Sequence, residues 1–207
     1  MKKFLIIFIF IFLCFVLVGC NSDNTLTNNT INNSNYNINN TTNNLVYETE
    51  KLSVEPKEET VASFSTDILD KDSGRQTNVS ITCSVLNGSI VKAGETFSFC
   101  DTVGKATPER GYKEAKVFDS EGNVELGFGG GNCQVSSTLY NAVLQDTNFE
   151  IVERHPHSHT VYYVEKDKDA AVACGSVDFK FKNNYNTDIK IYASTDGEQV
   201  TVSIVKF

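Results

Sequence analysis

The sequence contains no C-x-x-C pair, no cluster of lysine and arginine, and no apolar run long enough to cross a bilayer. Without C-x-x-C, a structural zinc site built on paired thiolates is disfavoured. Residues 61–207 hold 14 of the 18 basic and 20 of the 26 acidic residues. With no basic stripe in that acidic span, nucleic acid is not expected as a partner. The longest apolar run covers residues 4–18, 15 residues, short of the roughly 20 that a transmembrane helix needs. Residues 21–44 lack any lysine or arginine and are rich in Asn and Thr. Such a segment cannot bury enough apolar surface to offset its ordering entropy, so it is expected to be disordered.

What is present begins with Lys2 and Lys3 ahead of the apolar run, the pattern of an export signal. The run ends in Leu17-Val18-Gly19-Cys20, which resembles the lipobox of bacterial lipoproteins. That resemblance implies cleavage before Cys20 and lipidation of its thiol. The competing reading is an uncleaved anchor helix. Both place the remainder outside the cytoplasmic membrane, at its outer face in the cell-wall zone. The expected organisation is a signal peptide over 1–19, a lipidated and acidic tether over 20–60, and one domain over 61–207. A flexible tether of about 40 residues reaches on the order of 35 Å.

Within the domain, residues 79–86 (VSITCSVL) fit a strand and a helical face equally well. Residues 113–118 and 124–128 flank a turn-rich DSEGN and read as a hairpin. The clearest helix lies over residues 134–145, where Val135, Leu139, Ala142 and Val143 recur at helical spacing. Residues 148–153 and 160–164 read as strands. Segments 177–181, 188–194 and 200–205 suggest a C-terminal antiparallel meander. The expected fold class is α+β: a β-rich single domain with one principal helix starting at Cys133. Four cysteines remain in the domain, Cys83, Cys100, Cys133 and Cys174, an even number that permits disulfides outside the cell. Cys83 and Cys100 stand 17 residues apart and are candidates to pair.

Residues 129–138 read GGGNCQVSST, a glycine turn that runs into the helix with a thiol between them. Cys133 is there as a small packed residue, half a disulfide, a metal ligand or a nucleophile. The thiolate is the nucleophilic form, and the unpaired N–H groups and dipole of a helix N-terminus favour it. Glycines also let a substrate backbone approach closely. The backbone around Gly130, Gly131, Asn132 and Gln134 then offers oxyanion donors, and Ser136 lies one turn into the helix. All three histidines of the chain fall in HPHSH, as His155, His157 and His159. In an extended strand the three would share one face, and imidazole is the usual partner of a thiolate. An exposed polar strand end and a three-histidine metal site are the alternatives; no Asp or Glu interrupts the cluster, and neither metal nor cofactor is expected.

These stretches carry a family resemblance. GGGNCQVSSTLYNAVL and EIVERHPHSHTVYYV resemble the central motifs of the VanW domain, as do KAGETFSFCDTVGKATPERGYKEAKVF upstream and DFKFKNNYNTDIKIYA downstream. The resemblance implies an exported, wall-associated protein and an L,D-transpeptidase-type activity on peptidoglycan stem peptides, with the motif cysteine as nucleophile. Two departures stand out: Cys100 where the family usually has Asn, and Asn132 where it often has Ile or Val. On this reading His157 is the first choice of base, ahead of His155 and then His159. Arg110 would bind a stem carboxylate or else brace a surface loop, and Asp178 would orient a histidine or hold a turn or edge position. The protein would act as a monomer, held to the membrane through Cys20. The alternative function is a non-catalytic wall-binding or vancomycin-resistance accessory protein.

Overall fold

The computed structural model describes residues 57–118 and 121–207. The export signal, Cys20 and the tether as far as residue 56 lie outside the described residues. The chain order is β1 (Glu59–Asp67), α1 (Ser73–Leu86), β2 (Ser89–Val91), β3 (Thr96–Ser98), α2 (Phe99–Val103), a 3-10 turn (Pro108–Arg110), β4 (Glu114–Phe118), β5 (Val124–Phe128), α3 (Asn132–Val143), β6 (Phe149–Glu153), β7 (Lys180–Asn183), β8 (Ile189–Thr195) and β9 (Gln199–Lys206). Glu59 and Thr60, assigned to the tether by sequence, are the first residues of β1.

These strands make an α+β domain of antiparallel sheets. The largest has the order β1-β9-β8-β2, the second β3-β7-β6, and β4 pairs with β5 alone. Its central strands show why a sheet forms: Val200, Val202 and Ile204 on β9, and Ile189, Ile191 and Ala193 on β8, alternate inward and are buried. α1 packs on β8, and α3 packs on β9 and β1. Val135, Leu139 and Ala142 of α3 and Val79 and Leu86 of α1 close the core. Each large apolar side chain so buried contributes about 1.5–3 kcal/mol relative to exposure.

The ambiguous VSITCSVL is helix, the second half of α1. Asp72 decides it, because its Oδ1 accepts from the Arg75 N–H at 3.0 Å and caps the first turn. Asn78, Val79, Thr82, Cys83 and Leu86 then form the buried face. α1 has 14 residues against 12 in α3, so the domain has two main helices where one was expected. α3 itself begins at Asn132, one residue before Cys133.

The C-terminal segments are antiparallel, but the first leaves the meander. β8 and β9 form a hairpin, with Gly197 at φ 87° in its turn. β7 instead pairs with β3 and β6 in the second sheet. Phe181 supplies the reason, since its ring packs against Phe97 and Phe149 across that sheet. Asn183 holds the crossover by donating to the carbonyls of Val91, Lys92 and Thr187. Residues 160–164, read as a strand, form bends instead. HPHSH is likewise irregular, so its three rings do not share a strand face.

Candidate functional site

The glycine turn is dictated by close packing. A Cβ on Gly130 would stand 2.7 Å from the Lys116 carbonyl oxygen on β4. One on Gly131 would stand 2.7 Å from Cγ2 of Val79 on α1, and Gly131 caps α3 at φ 113°, a left-handed conformation. Asn78 fastens the turn from behind, donating to the carbonyls of Gly130 at 3.1 Å and Lys113 at 3.0 Å. The turn is therefore wedged between α1 and β4, and it delivers Cys133 to the first turn of α3 facing a groove of about 500 Å³.

Residues 172–174 form another part of the groove lining, and α3 places the segment that leads into them. Ser137 accepts from the Ala170 N–H at 2.9 Å, Ser136 donates to the Ala170 carbonyl, and Asn141 donates to the Lys168 carbonyl at 2.7 Å. This polar face of α3 is buried because it holds a strandless segment that would otherwise leave backbone groups unpaired. It sets Val172 against the thiol. The Val172 N–H points at Cys133 Sγ at 3.5 Å, and Sγ lies 3.4 Å from the Val172 carbonyl oxygen.

His157 is the histidine that interacts with Cys133. The two side chains share the groove lining, and the interaction of the ring with Cys133 favours its charged form. Its Nδ1 lies 2.6 Å from Asp169 Oδ2, which also accepts the His157 backbone N–H at 2.6 Å. With Nδ1 engaged, Nε2 is the nitrogen left for Cys133. Asp169 is held in turn by Arg154, whose Nη2 donates to Oδ1 at 2.7 Å and whose Nε donates to the Asp169 carbonyl. Burial disfavours a charged His157 ring, but its bonds to Cys133 and Asp169 outweigh this and raise its pKa. Burial opposes the charged form of Asp169 too, yet its hydrogen bonds from His157 hold the carboxyl below its ordinary range.

The other two histidines go elsewhere. His155 bonds Glu153 Oε1 at 3.0 Å on the exposed side. His159 stacks on Phe118, ring centroids 3.6 Å apart, and stands edge-on to His157. Burial and the charge of His157 lower its pKa. Both His159 and His157 line the groove. Among the described residues, no group of three His, Cys, Asp or Glu side chains is placed to hold a metal ion.

Several side chains singled out by sequence have structural work instead. Asn132 Oδ1 accepts from Thr82 at 2.7 Å in the packed junction of α1 and α3. Gln134 donates to Thr66 and to the Asp67 carbonyl, tying α3 to β1. The Asn132 and Gln134 amides bond the carbonyls of Gly129 and Gly131, which takes both out of an oxyanion role. Arg110 donates to the Lys105 carbonyl at 2.7 Å and braces that loop. Asp178 accepts from Ser98 and from the Cys100 N–H at the start of α2. Asp169 occupies the histidine-orienting place considered for Asp178.

Three residues of the site were not found by sequence reasoning: Arg75 and Tyr163, which line the groove, and Asp169, which stands behind His157. Asp169 stands in DKDA with nothing local to mark it. Tyr163 lines the groove, and burial, followed by the charge of Cys133, pushes its phenol up. The readable signal was the Ser136, Ser137 and Asn141 face of α3, too polar for a buried helix unless something docks on it.

The disulfide joins Cys100 to Cys174, not Cys83. Cys83 points into the core from α1, where burial pushes its thiol up to about 12. Cys174 lines the groove two residues beyond Val172, so the bridge pins that wall to α2 across 74 residues of chain. Closing a loop of that length contributes on the order of 4 kcal/mol in the chain-entropy model. Non-reducing peptide mapping is expected to show the Cys100–Cys174 link, with Cys133 alkylated in native protein and Cys83 only after denaturation. A mapped bond to Cys133 would contradict this arrangement.

The sequence model described as "VanW like protein" matches residues 74–205. The chain is 36% identical over 167 residues to "Uncharacterized protein YoaR" of Bacillus subtilis (strain 168), which covers 76% of this chain and 54% of that protein. It is 30% identical over 132 residues to "Vancomycin B-type resistance protein VanW" of Enterococcus faecalis (strain ATCC 700802 / V583), 59% of this chain and 46% of that one. The chain thus spans about half the length of these curated relatives. No solved structure matches.

Proposed function

The chain belongs to the VanW family, and on that premise we propose that it performs cysteine-dependent acyl transfer on peptidoglycan stem peptides, forming 3–3 cross-links as an L,D-transpeptidase does. The resistance protein among its relatives supports a role at the cell wall. The observation that carries the chemistry is the chain of contacts from Cys133 through His157 to Asp169, at the wall of an open groove.

In the proposed cycle, the Cys133 thiolate attacks the carbonyl of the third stem residue. The carbon–nitrogen bond to the terminal residue breaks, and His157 gives its Nε2 proton to the departing amine. A thioester remains on Cys133. The amine of a neighbouring stem attacks it, loses its proton to His157, and expels the thiolate. Water in place of that amine makes the same site a carboxypeptidase. As the second residue of α3, Cys133 has an amide with no partner inside the helix, so it is the oxyanion donor in this scheme. Asp169 holds the ring with Nε2 toward sulfur. Lipidated Cys20 and the tether would keep the domain near the outer face of the membrane.

Purified protein incubated with a disaccharide tetrapeptide is expected to release the terminal residue and yield a 3–3 linked dimer. Intact mass should show a transient adduct on Cys133. Binding of the muropeptide with neither adduct nor product would overturn this reading and favour a wall-binding accessory protein.

A further inference from the structure

The groove concentrates charge of one sign. Arg75, Lys105 and Lys116 line it, and among its described lining residues there is no Asp or Glu. This occurs in a domain where acidic residues outnumber basic ones. An acidic protein that gathers cations beside a nucleophile is shaped for an anionic substrate.

Arg75 is the best placed of the three. It sits in the first turn of α1, and its Cγ lies 3.5 Å from where a Gly131 Cβ would be, so its stem runs along the turn that delivers Cys133. Its Nη2 donates to Gln134 Oε1 at 2.8 Å. Gln134 has no freedom to turn, because its Nε2 is held by Thr66 and Asp67. A neutral amide therefore orients the guanidinium without neutralising it. Nε of Arg75 is buried with no hydrogen-bond partner among the described residues, and no ion pair to Arg75 occurs among them. Asp72, the nearest acidic residue in sequence, uses Oδ1 on the Arg75 backbone N–H. A guanidinium with an orphaned buried donor and an uncompensated charge is an incomplete bidentate carboxylate site.

We propose that Arg75 is a specificity-determining residue that binds the free C-terminal carboxylate of the donor stem, one residue beyond the scissile bond. This inference rests on the acyl-transfer reading above. It makes the site exo-acting: only a donor ending in a free acid, one residue past the attacked carbonyl, is held in register with Cys133. Arg110, the arginine that sequence alone favours for this task, is engaged with the Lys105 carbonyl and is absent from the groove lining.

Equilibrium binding to the Cys133→Ala protein tests this without turnover. A synthetic stem tetrapeptide with a C-terminal acid is expected to bind about ten-fold or more tightly than its C-terminal amide, the strength of one charge-assisted contact. Adding Arg75→Gln should bring the two within about two-fold by weakening the acid alone, and Arg75→Lys should keep part of the preference. Equal binding of acid and amide to protein with Arg75 intact overturns the proposal whether or not the variants fold. A preference unchanged in folded Arg75→Gln overturns it as well. Acid-selective binding by a protein that makes no thioester would leave the subsite standing and defeat the transferase reading. Product formation without acid selectivity would do the reverse.

Discussion

Cys133→Ala is expected to lower 3–3 product formation by on the order of ten-thousand-fold, to the background of the remaining groove. The size follows from the mechanism: with no sulfur there is no covalent intermediate, and the other groups can only hold the substrate. The fold should survive, because the thiol is half-buried and its hydrogen bonds are to the Val172 backbone, and the change in stability should stay near about 1 kcal/mol. Thermal melting and muropeptide analysis by mass spectrometry read the two effects separately. Retention of activity in the folded variant would remove Cys133 from its role. A Cys133→Ser protein should be almost as impaired, since a hydroxyl is far harder to ionise beside imidazole than a thiol.

Asp169→Asn is expected to cost about a hundred- to ten-thousand-fold in rate, with the groove otherwise intact. The carboxamide removes the charge that supports a protonated His157 and permits the wrong ring tautomer. It also leaves Arg154 facing a neutral group. Breaking a fully buried ion pair costs about 3–5 kcal/mol; here Arg154 is 19% exposed, so a loss of about 2 kcal/mol is expected, measured by denaturant unfolding. A pH profile separates the two roles. In the parent protein the alkaline limb of the rate should lie above 6.5, the ordinary histidine value, because His157 is raised. In Asp169→Asn that limb should move to lower pH, which a merely structural defect would not cause.

The same shifts set the pH dependence of stability. His157 is raised on folding, so its contribution is full below the ordinary value and is lost as pH rises through the folded one. Asp169 is lowered, so its contribution is present above the ordinary carboxylate value and is lost as pH falls through the folded one. Stability from this pair is therefore greatest in the acidic range between the two, and it should fall on both sides in melts taken across pH.

Local patterns foretold the elements that depend on neighbours in sequence. The β4–β5 hairpin follows from DSEGN between two short β-prone runs, and α3 from Val135, Leu139 and Ala142 at helical spacing. VSITCSVL resisted because both periods fit it; the deciding Asp72 cap lay six residues upstream of Asn78, in a stretch not read as a helix start. The C-terminal meander was misjudged at one link, since nothing in residues 177–183 says that Phe181 belongs with Phe97 and Phe149 and not with β8.

The sequence by itself determined that Cys133 stands between a glycine turn and a helix, and that every histidine lies in HPHSH. Both are matters of adjacency, where chain connectivity supplies the geometry. Tertiary structure alone decided which histidine meets the thiol, that Asp169 orients it, that Cys174 is the partner of Cys100, and that Arg75 rather than Arg110 enters the groove. The first three of those choices depend on how residues 154–174 fold back across α3. That path is held by Ser136, Ser137 and Asn141 through backbone groups of residues 168–170. Backbone groups are the same in every residue type, so the path they select leaves almost no mark on the side chains that follow it.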